Sequence, residues 1–311
     1  MTLHLCWIQA GGCGGDTLSA LCMADPDLPG LFDALDISLA YHPGLSRLTP
    51  AAYDATMHAF TSGETPLDIL CVEGGIATGP DDTGRYAHRA GVPHRDLVVS
   101  LAARARHVLA LGTCACFGGI DRAASNATGL QHHGGIMGGA LGASFRSRAG
   151  LPVINLPACP VHPSVLRDTL TRIAHGTPLD LGHMNTPADW YGLTVHQGCT
   201  RNEYHEYKIE EQDFGQPGCL FFHMGCKGPL TMNHCNRDLW NGRSSKTRAG
   251  VPCMGCTSPS YPDENPFYIT DNIEGVPLAL PAGVRRANYL AYKELAGAAA
   301  PQRLRNRRNR I

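Results

Sequence analysis

The sequence predicts an α/β fold, a flavodoxin-like, doubly wound parallel sheet, followed by a loop-rich domain. Three observations carry this reading. The apolar run Leu3–Gln9 is followed by the glycine loop Gly11-Gly12-Cys13-Gly14-Gly15-Asp16 and then by a helical run from Thr17 to Met23. Further short apolar runs, Ile37–Tyr41, Leu67–Val72, Val108–Leu111 and Val153–Leu156, alternate with helical stretches that include Arg95–Arg106 and Ser164–His175. Such alternation predicts parallel strands with helices on both faces. After residue 185 the chain is instead organised by cysteines set beside Gly and Pro. The expected domains are 1–185 for the sheet, 186–275 for the cysteine-rich part, and 276–311 for a C-terminal helix and basic tail.

Composition narrows the function. A chain of 311 residues, 43% of them hydrophobic, can build a real core. A formal charge of −1 supplies no field for nucleic acid or membrane, so neither is an expected partner. Thirteen cysteines in 311 residues is about 4%, below the roughly 8–10% of disulfide scaffolds. An odd, clustered count argues for metal binding in a reducing compartment. The N-terminus shows no basic leader, twin-Arg or cleavage site. No apolar run reaches the ~18 residues of a membrane span. The expected location is therefore cytoplasmic, at most peripheral to a membrane.

The densest chemistry lies in Cys219, Cys226, Cys235, Cys253 and Cys256, preceded by His196 and Cys199. Seven soft or borderline donors in so short a region exceed what a core needs, and thiolates with imidazole are ligands for zinc or iron–sulfur. Zinc ribbons pair two C-x2-C knuckles, whereas only Cys253-x2-Cys256 is present. Backbone turned by Gly225, Gly228, Pro229, Pro252 and Gly255 suits a bulkier inorganic core, so iron–sulfur is the reading and zinc the alternative.

Ligands of doubly wound sheets sit on the loops after the strands' C-terminal ends. Those loops carry Cys13 and Asp16, then Gly112-Thr113-Cys114-Ala115-Cys116, then Pro157-Ala158-Cys159-Pro160. A second metal site at one sheet edge follows. Two other readings stay open: the glycine loop could hold a phosphate at a helix N-terminus, and Asp16 could cap the helix beginning at Thr17. Cys116 is read as sharing a strand with Cys114 and pointing to the opposite, buried face. Cys6, Cys22 and Cys71 read as core. His132-His133 reads as part of a mobile, glycine-rich surface segment, and His162 as a surface or hydrogen-bonded residue.

Taken together the motifs resemble the small, electron-transferring subunit of [NiFe]-hydrogenases. The resemblance rests on Trp7-Ile8-Gln9, Val72-Glu73-Gly74, Gly112–Ala115 (G-T-C-A) and Pro157–Pro160 (P-A-C-P). It continues through His196-x2-Cys199, Gly225–Pro229 (G-C-K-G-P), Trp240-Asn241 and Ala249–Cys256 (A-G-V-P-C-M-G-C). It implies a proximal [4Fe–4S] cluster on Cys13, Asp16, Cys114 and Cys159, and a distal [4Fe–4S] cluster on His196, Cys199, Cys219 and Cys226. It implies a medial cluster, [3Fe–4S] or [4Fe–4S], on Cys235, Cys253 and Cys256. The implied function is relay of electrons from H2 oxidation to an unidentified acceptor. The catalytic Ni–Fe site then belongs to a hydrogenase large subunit, and the expected assembly is a dimer of heterodimers. No residue of this chain is assigned a catalytic role; Glu73 is read either as a proton-transfer group or as a hydrogen-bond acceptor at a strand end.

The sequence also departs from the family. Most members have C-x2-C in the first loop with a Glu before it, whereas here Asp16 fills the second cysteine position and Gly12 the Glu position. A carboxylate there looks like the actinobacterial-type, high-affinity and oxygen-insensitive branch. The competing readings are a hydrogen-sensing complex, a zinc structural protein, and the iron–sulfur subunit of quinone-reducing complexes. Residues 282–300 read as an amphipathic helix. The basic run Arg303–Arg310 reads as a solvated end or, alternatively, as a clamp on an acidic partner.

Overall fold

The computed structural model describes residues 2–89, 91–124, 126–262, 271–273, 276–280 and 283–306. Two compact units divide the chain: Met1–Gly192 with Cys256–Tyr261, and Leu193–Gly255 with Pro262–Ile311.

The first unit is built on five parallel strands: β1 (Leu3–Gln9), β2 (Ile37–Tyr41), β3 (Leu67–Glu73), β4 (Ala105–Leu111) and β5 (Ile154–Leu156), in the spatial order β5-β4-β3-β1-β2. Side-chain alternation along each strand separates two cores. Leu5 and Trp7 join Ile69, Cys71, Leu109 and Leu111 on one face, and Cys6 and Ile8 join Leu70, Val72, Val108 and Ala110 on the other. Helices α1 (Gly15–Leu21), α2 (Leu28–Ala34) and α6 (Pro163–Ala174) cover the first face through Ala20, Leu31 and Leu166. Helices α3 (Pro50–Ser62) and α4 (His94–Ala102) cover the second through Phe60 and Leu101. Each fully buried large side chain contributes about 1.5–3 kcal/mol. The strands are buried on both sides, which is why they read as continuous apolar runs.

Two differences from the sequence reading have simple causes. The helix expected over Arg95–Arg106 stops at Ala102, and β4 begins at Ala105. Ala105, Val108 and Ala110 pair with Leu67, Leu70 and Val72, so ladder bonds across the sheet override local helical preference. Cys22 is exposed rather than buried, because α1 ends at Leu21 and leaves it as the cap.

The register levels the strand ends. Gln9 pairs with Glu73, Glu73 with Leu111, and Leu111 with Leu156. The loops carrying Cys13, Gly74, Cys114 and Cys159 thus start from one row. Strand order reverses between β1 and β3, where doubly wound sheets open a crevice. The two loops there are drawn together: Gly11 N–H donates to the Gly75 carbonyl at 2.9 Å and Gly75 N–H to that of Gly11 at 2.7 Å. Gly74 lies at φ 88° with its Cα against the Gly11 carbonyl, a place where any Cβ would collide.

The second unit is loop-rich. Its helices include Asn202–Glu206, Phe221–Met224 and Arg286–Ala298. A small core joins Tyr204, Ile209 and Cys219 to Ala300 and Leu304. Of the basic run, Arg303 is paired with Glu203 of the same unit; Arg307, Arg308 and Arg310 lie outside the described residues. Among the described residues no helix is long and apolar enough to cross a membrane.

Candidate functional site

Asp16 stands in the first turn of α1, whose N-cap is Gly14. The capping role considered for Asp16 is therefore not realised. Its Oδ1 instead accepts a 2.7 Å hydrogen bond from the Val161 N–H. Gly112, at φ 74°, lies against the Asp16 carboxylate, and a Cβ there would overlap it. Cys114 and Cys116 belong to a short helix, α5 (Gly112–Phe117), rather than to a strand, because Gly112 turns the chain out of β4. Cys116 is nonetheless fully buried, its thiol donating to the Ala110 carbonyl at 3.4 Å.

Cys13, Asp16, Cys114 and Cys159 are brought close enough to act on one another electrostatically. Burial pushes the Asp16 carboxyl up to about 7; the Val161 N–H opposes this, and the Glu73 charge adds to it. Burial raises Cys114 to about 11, with Cys159, Asp16 and Cys13 adding to the shift and the Ile120 N–H opposing it. Cys159 is raised by burial and then by Cys256, Asp16 and Cys13. The charges raising these groups are all carboxyl or thiol, each disfavouring its neighbours' ionisation. A cationic iron core bound among them would reverse those shifts, so the donor set fits such a group. Cys256 adjoins this set within the first unit, its carbonyl accepting from Thr113 Oγ1.

Glu73 closes the back of this site. Its Oε2 accepts from the Thr17 N–H at 2.7 Å and from Thr17 Oγ1 at 2.9 Å. Thr17 Oγ1 also lies 3.1 Å from His42 Nε2. His42 Nδ1 accepts from the Gly44 N–H, which leaves Nε2 as the donor. Glu73 is thus the strand-end acceptor that fixes the start of α1. Burial raises the pKa of Glu73, and the two Thr17 bonds and then the Trp7 indole oppose that shift.

In the second unit His196 lies in the single turn Val195–Gly198, closed by a Thr194–Gln197 capping box. Cys199, Cys219 and Cys226 act on one another: burial pushes Cys219 up to about 12, opposed by the Phe221 N–H and increased by Cys226 and Cys199. Cys226 is raised by burial against the N–H groups of Gly228 and Cys253, and the Arg201 charge lowers it. The Cys253 N–H donates to Cys226 Sγ at 3.3 Å, and the Arg201 N–H to Cys199 Sγ at 3.4 Å. Backbone donors aimed at sulfur suit metal-bound thiolates. Gly228 lies beside Cys226 Sγ and the His196 backbone nitrogen, at 3.5 Å and 3.7 Å from where a Cβ would stand. Of the medial set, Cys235 and Cys253 belong to the second unit and Cys256 to the first.

Comparison with known proteins decides the family. The NADH ubiquinone oxidoreductase 20 kDa subunit family matches residues 13–173. The C-terminal family of the NiFe/NiFeSe hydrogenase small subunit matches residues 191–268. The F420 non-reducing hydrogenase II small subunit of Methanosarcina mazei is 31% identical, over 88% of this chain and 77% of its own length. The periplasmic [NiFe] hydrogenase small subunit of Solidesulfovibrio fructosivorans is 31% identical, over 84% of this chain and 80% of its own length. The chain belongs to the [NiFe]-hydrogenase small subunits. The actinobacterial-type NiFe-hydrogenase from Ralstonia eutropha H16 superposes with a TM-score of 0.80 at 27% identity, covering 100% of this chain and 91% of that one.

As a member of this family the chain is an iron–sulfur, electron-relaying subunit that pairs with a large subunit. The zinc structural reading is thereby set aside. Sequence reasoning missed three residues that shape these sites: Thr17, Arg201 and His205. No spacing marks them, because their partners are brought near only by folding. The glycine-rich segment also differs from its reading. His132 is buried, its Nδ1 3.2 Å from Asn155 Nδ2, and the buried Gln131 accepts from the Val153 N–H at 2.9 Å.

Proposed function

We propose that the chain relays electrons from H2 oxidation through three iron–sulfur centres, each held by a separate set of its own residues. Cys13, Asp16, Cys114 and Cys159 hold a proximal [4Fe–4S] cluster. Cys235, Cys253 and Cys256 hold a medial cluster, [3Fe–4S] or [4Fe–4S]. His196, Cys199, Cys219 and Cys226 hold a distal [4Fe–4S] cluster. Such clusters supply one-electron storage when bound; the chain orients them, shields them and tunes their charge. The corresponding domain roles are a sheet domain for the proximal centre and a loop-rich domain for the others. We further propose a dimer of heterodimers, a cytoplasmic location and membership of the actinobacterial-type branch. Glu73 is assigned the anchoring of Thr17, with proton transfer through its second oxygen as a further role.

The observation carrying this reading is Asp16. Its carboxyl is near enough to Cys114 and Cys159 to raise both thiols, at the sequence position where a second cysteine of a C-x2-C pair would stand, while Cys13 and Cys159 themselves are exposed. An oxygen donor is harder than sulfur, so the centre it serves differs electronically from an all-thiolate one. Asp16→Cys is expected to retain iron while moving the proximal midpoint potential or the response to O2. Identical redox titration and O2 inactivation in variant and parent would remove Asp16 from the ligand set.

The distal assignment has its own test. His196→Ala is expected to slow reduction of an artificial acceptor at least about tenfold, within the range of lost site partners, while hydrogen–deuterium exchange at the large subunit falls much less. Equal losses of both would place His196 elsewhere than at the electron exit.

A further inference from the structure

His205 carries no ligand spacing, yet it stands between two of the candidate ligands. Its Nδ1 lies 3.5 Å from Cys219 Sγ, and its ring meets His196 edge-on, centroids 5.0 Å apart at 77°. The ring is clamped on its other sides. Phe222 stacks on it at 5.7 Å and 2°, and Phe221 meets it at 5.5 Å and 70°. The stacking fixes the plane of the ring, with Nδ1 on the side of the sulfur. A metal-bound thiolate only accepts, so the proton of the neutral ring belongs on Nδ1.

Arg201 approaches the same centre from the chain just after Cys199. It is 7% exposed. Its guanidinium donates to three backbone carbonyls: Nε to Thr247 at 2.6 Å, and Nη1 to Gln216 and Gly218, each at 2.5 Å. These carbonyls accept from three of its five N–H groups but do not balance its charge. Burial works against its charge and lowers its pKa, and the negative groups that oppose this are Cys199, Cys219, Glu211 and Cys226, three of the four being assigned distal thiolates. A cation buried in this way needs a countercharge to be tolerated, and the distal thiolates supply most of it.

We propose that His205 and Arg201 set the potential of the distal centre: an imidazole N–H to Cys219 sulfur and a buried guanidinium beside three thiolates jointly favour its reduced, more negative state. Both are positioning residues, acting through the ligands and not on any reacting atom. This role rests on the distal ligand assignment above. Its consequence is directional. Hydrogen bonds to sulfur and net charge are the levers that move a cluster's potential, and both residues move it upward, so that electrons collect at the exit.

The test is EPR-monitored redox titration of the anaerobic holoenzyme with its large subunit. His205→Phe keeps the ring stack and removes the N–H; Arg201→Met keeps the stem and removes the charge. Each is expected to lower the distal midpoint so that the reduced-to-oxidised ratio at the parent's midpoint falls about tenfold, ~59 mV for a one-electron couple. His205→Gln and Arg201→Lys, which retain a donor and a charge, are expected to recover part of the shift. Proximal midpoint and iron content should be unchanged. Distal midpoints equal to the parent's in His205→Phe and Arg201→Met would overturn the proposal. Should either lose iron, His205→Leu or Arg201→Gln, which likewise lack the N–H or the charge, is titrated in its place: a downward shift there supports the proposal, and an unshifted midpoint overturns it. A parallel His196→Cys variant separates ligation from tuning: altered distal spectra there uphold the ligand assignment whatever His205 and Arg201 do, and unaltered spectra refute the assignment itself.

Discussion

Cys114→Ala is expected to cost the subunit about four irons, one [4Fe–4S] complement, and to lower H2-dependent dye reduction more than a hundredfold. The local structure presents no obstacle to the substitution. Cys114 lies in α5, where Ala is the better helix former, and its sulfur packs against Gly119, so a smaller side chain causes no clash. Burial and the neighbouring carboxyl and thiol charges hold the Cys114 thiol at about 11, a state that only a bound cation would make anionic at neutral pH. Losing a partner outside the ligand shell typically costs ~10–100-fold in metal affinity or activity; losing a ligand of the proposed proximal cluster should cost more. Distal EPR signals should persist, because those ligands lie in the other unit. Cys116→Ala is the control: that thiol is fully buried and bonded to the Ala110 carbonyl, and its removal should cost only about 1 kcal/mol of stability and no iron. Full iron and full turnover in Cys114→Ala would refute the proximal assignment.

The contrast between these two cysteines shows what can be read from the chain alone. The strands are legible because both faces of the sheet are buried, which writes them as apolar runs such as Leu3–Gln9 and Ile37–Tyr41. The three thiols at the sheet edge are legible because parallel strands put their loops on one side. Cys116 is buried as expected, but strand alternation is not the cause: Gly112 turns the chain into a helix, and a positive φ is not written in the letters G-T-C. His132 reads as mobile because of the glycines around it, whereas Gln131 ties that segment to Val153 at the entrance to β5. His205 and Arg201 carry no signal at all. Their meaning comes from partners such as Cys219, Gln216 and Thr247, which are set beside them by turns that no local pattern predicts. Thr17 and Glu73 are 56 positions apart and meet only because β1 and β3 are neighbours.

Tyr289→Ala is the second large expected effect, and it acts on stability. Tyr289, on the helix Arg286–Ala298, is 2% exposed, with its ring 4.8 Å from that of Phe222. Its Oη donates to Glu210 Oε2 at 2.6 Å, the oxygen that also lies 3.1 Å from His223 Nε2 and 3.8 Å from Lys293 Nζ. Burial and the Glu210 carboxylate both raise the phenol's pKa, so it remains a donor across the physiological range. Truncating a buried aromatic of this size costs about 3–5 kcal/mol, a large part of the ~5–15 kcal/mol that separates folded from unfolded domains. Tyr289→Phe keeps the ring and loses one hydrogen bond to a charged group, about 1.5–3 kcal/mol. Because bound cofactors and two units break two-state behaviour, the measurement is local: amide hydrogen exchange over residues 202–224, read beside iron retention. Phe222 carries the His205 ring, so loosening it should raise exchange around Cys219 in the order parent, Tyr289→Phe, Tyr289→Ala, and release distal iron in the last. Exchange in Tyr289→Ala indistinguishable from the parent would mean that this helix contributes nothing to holding the distal ligands.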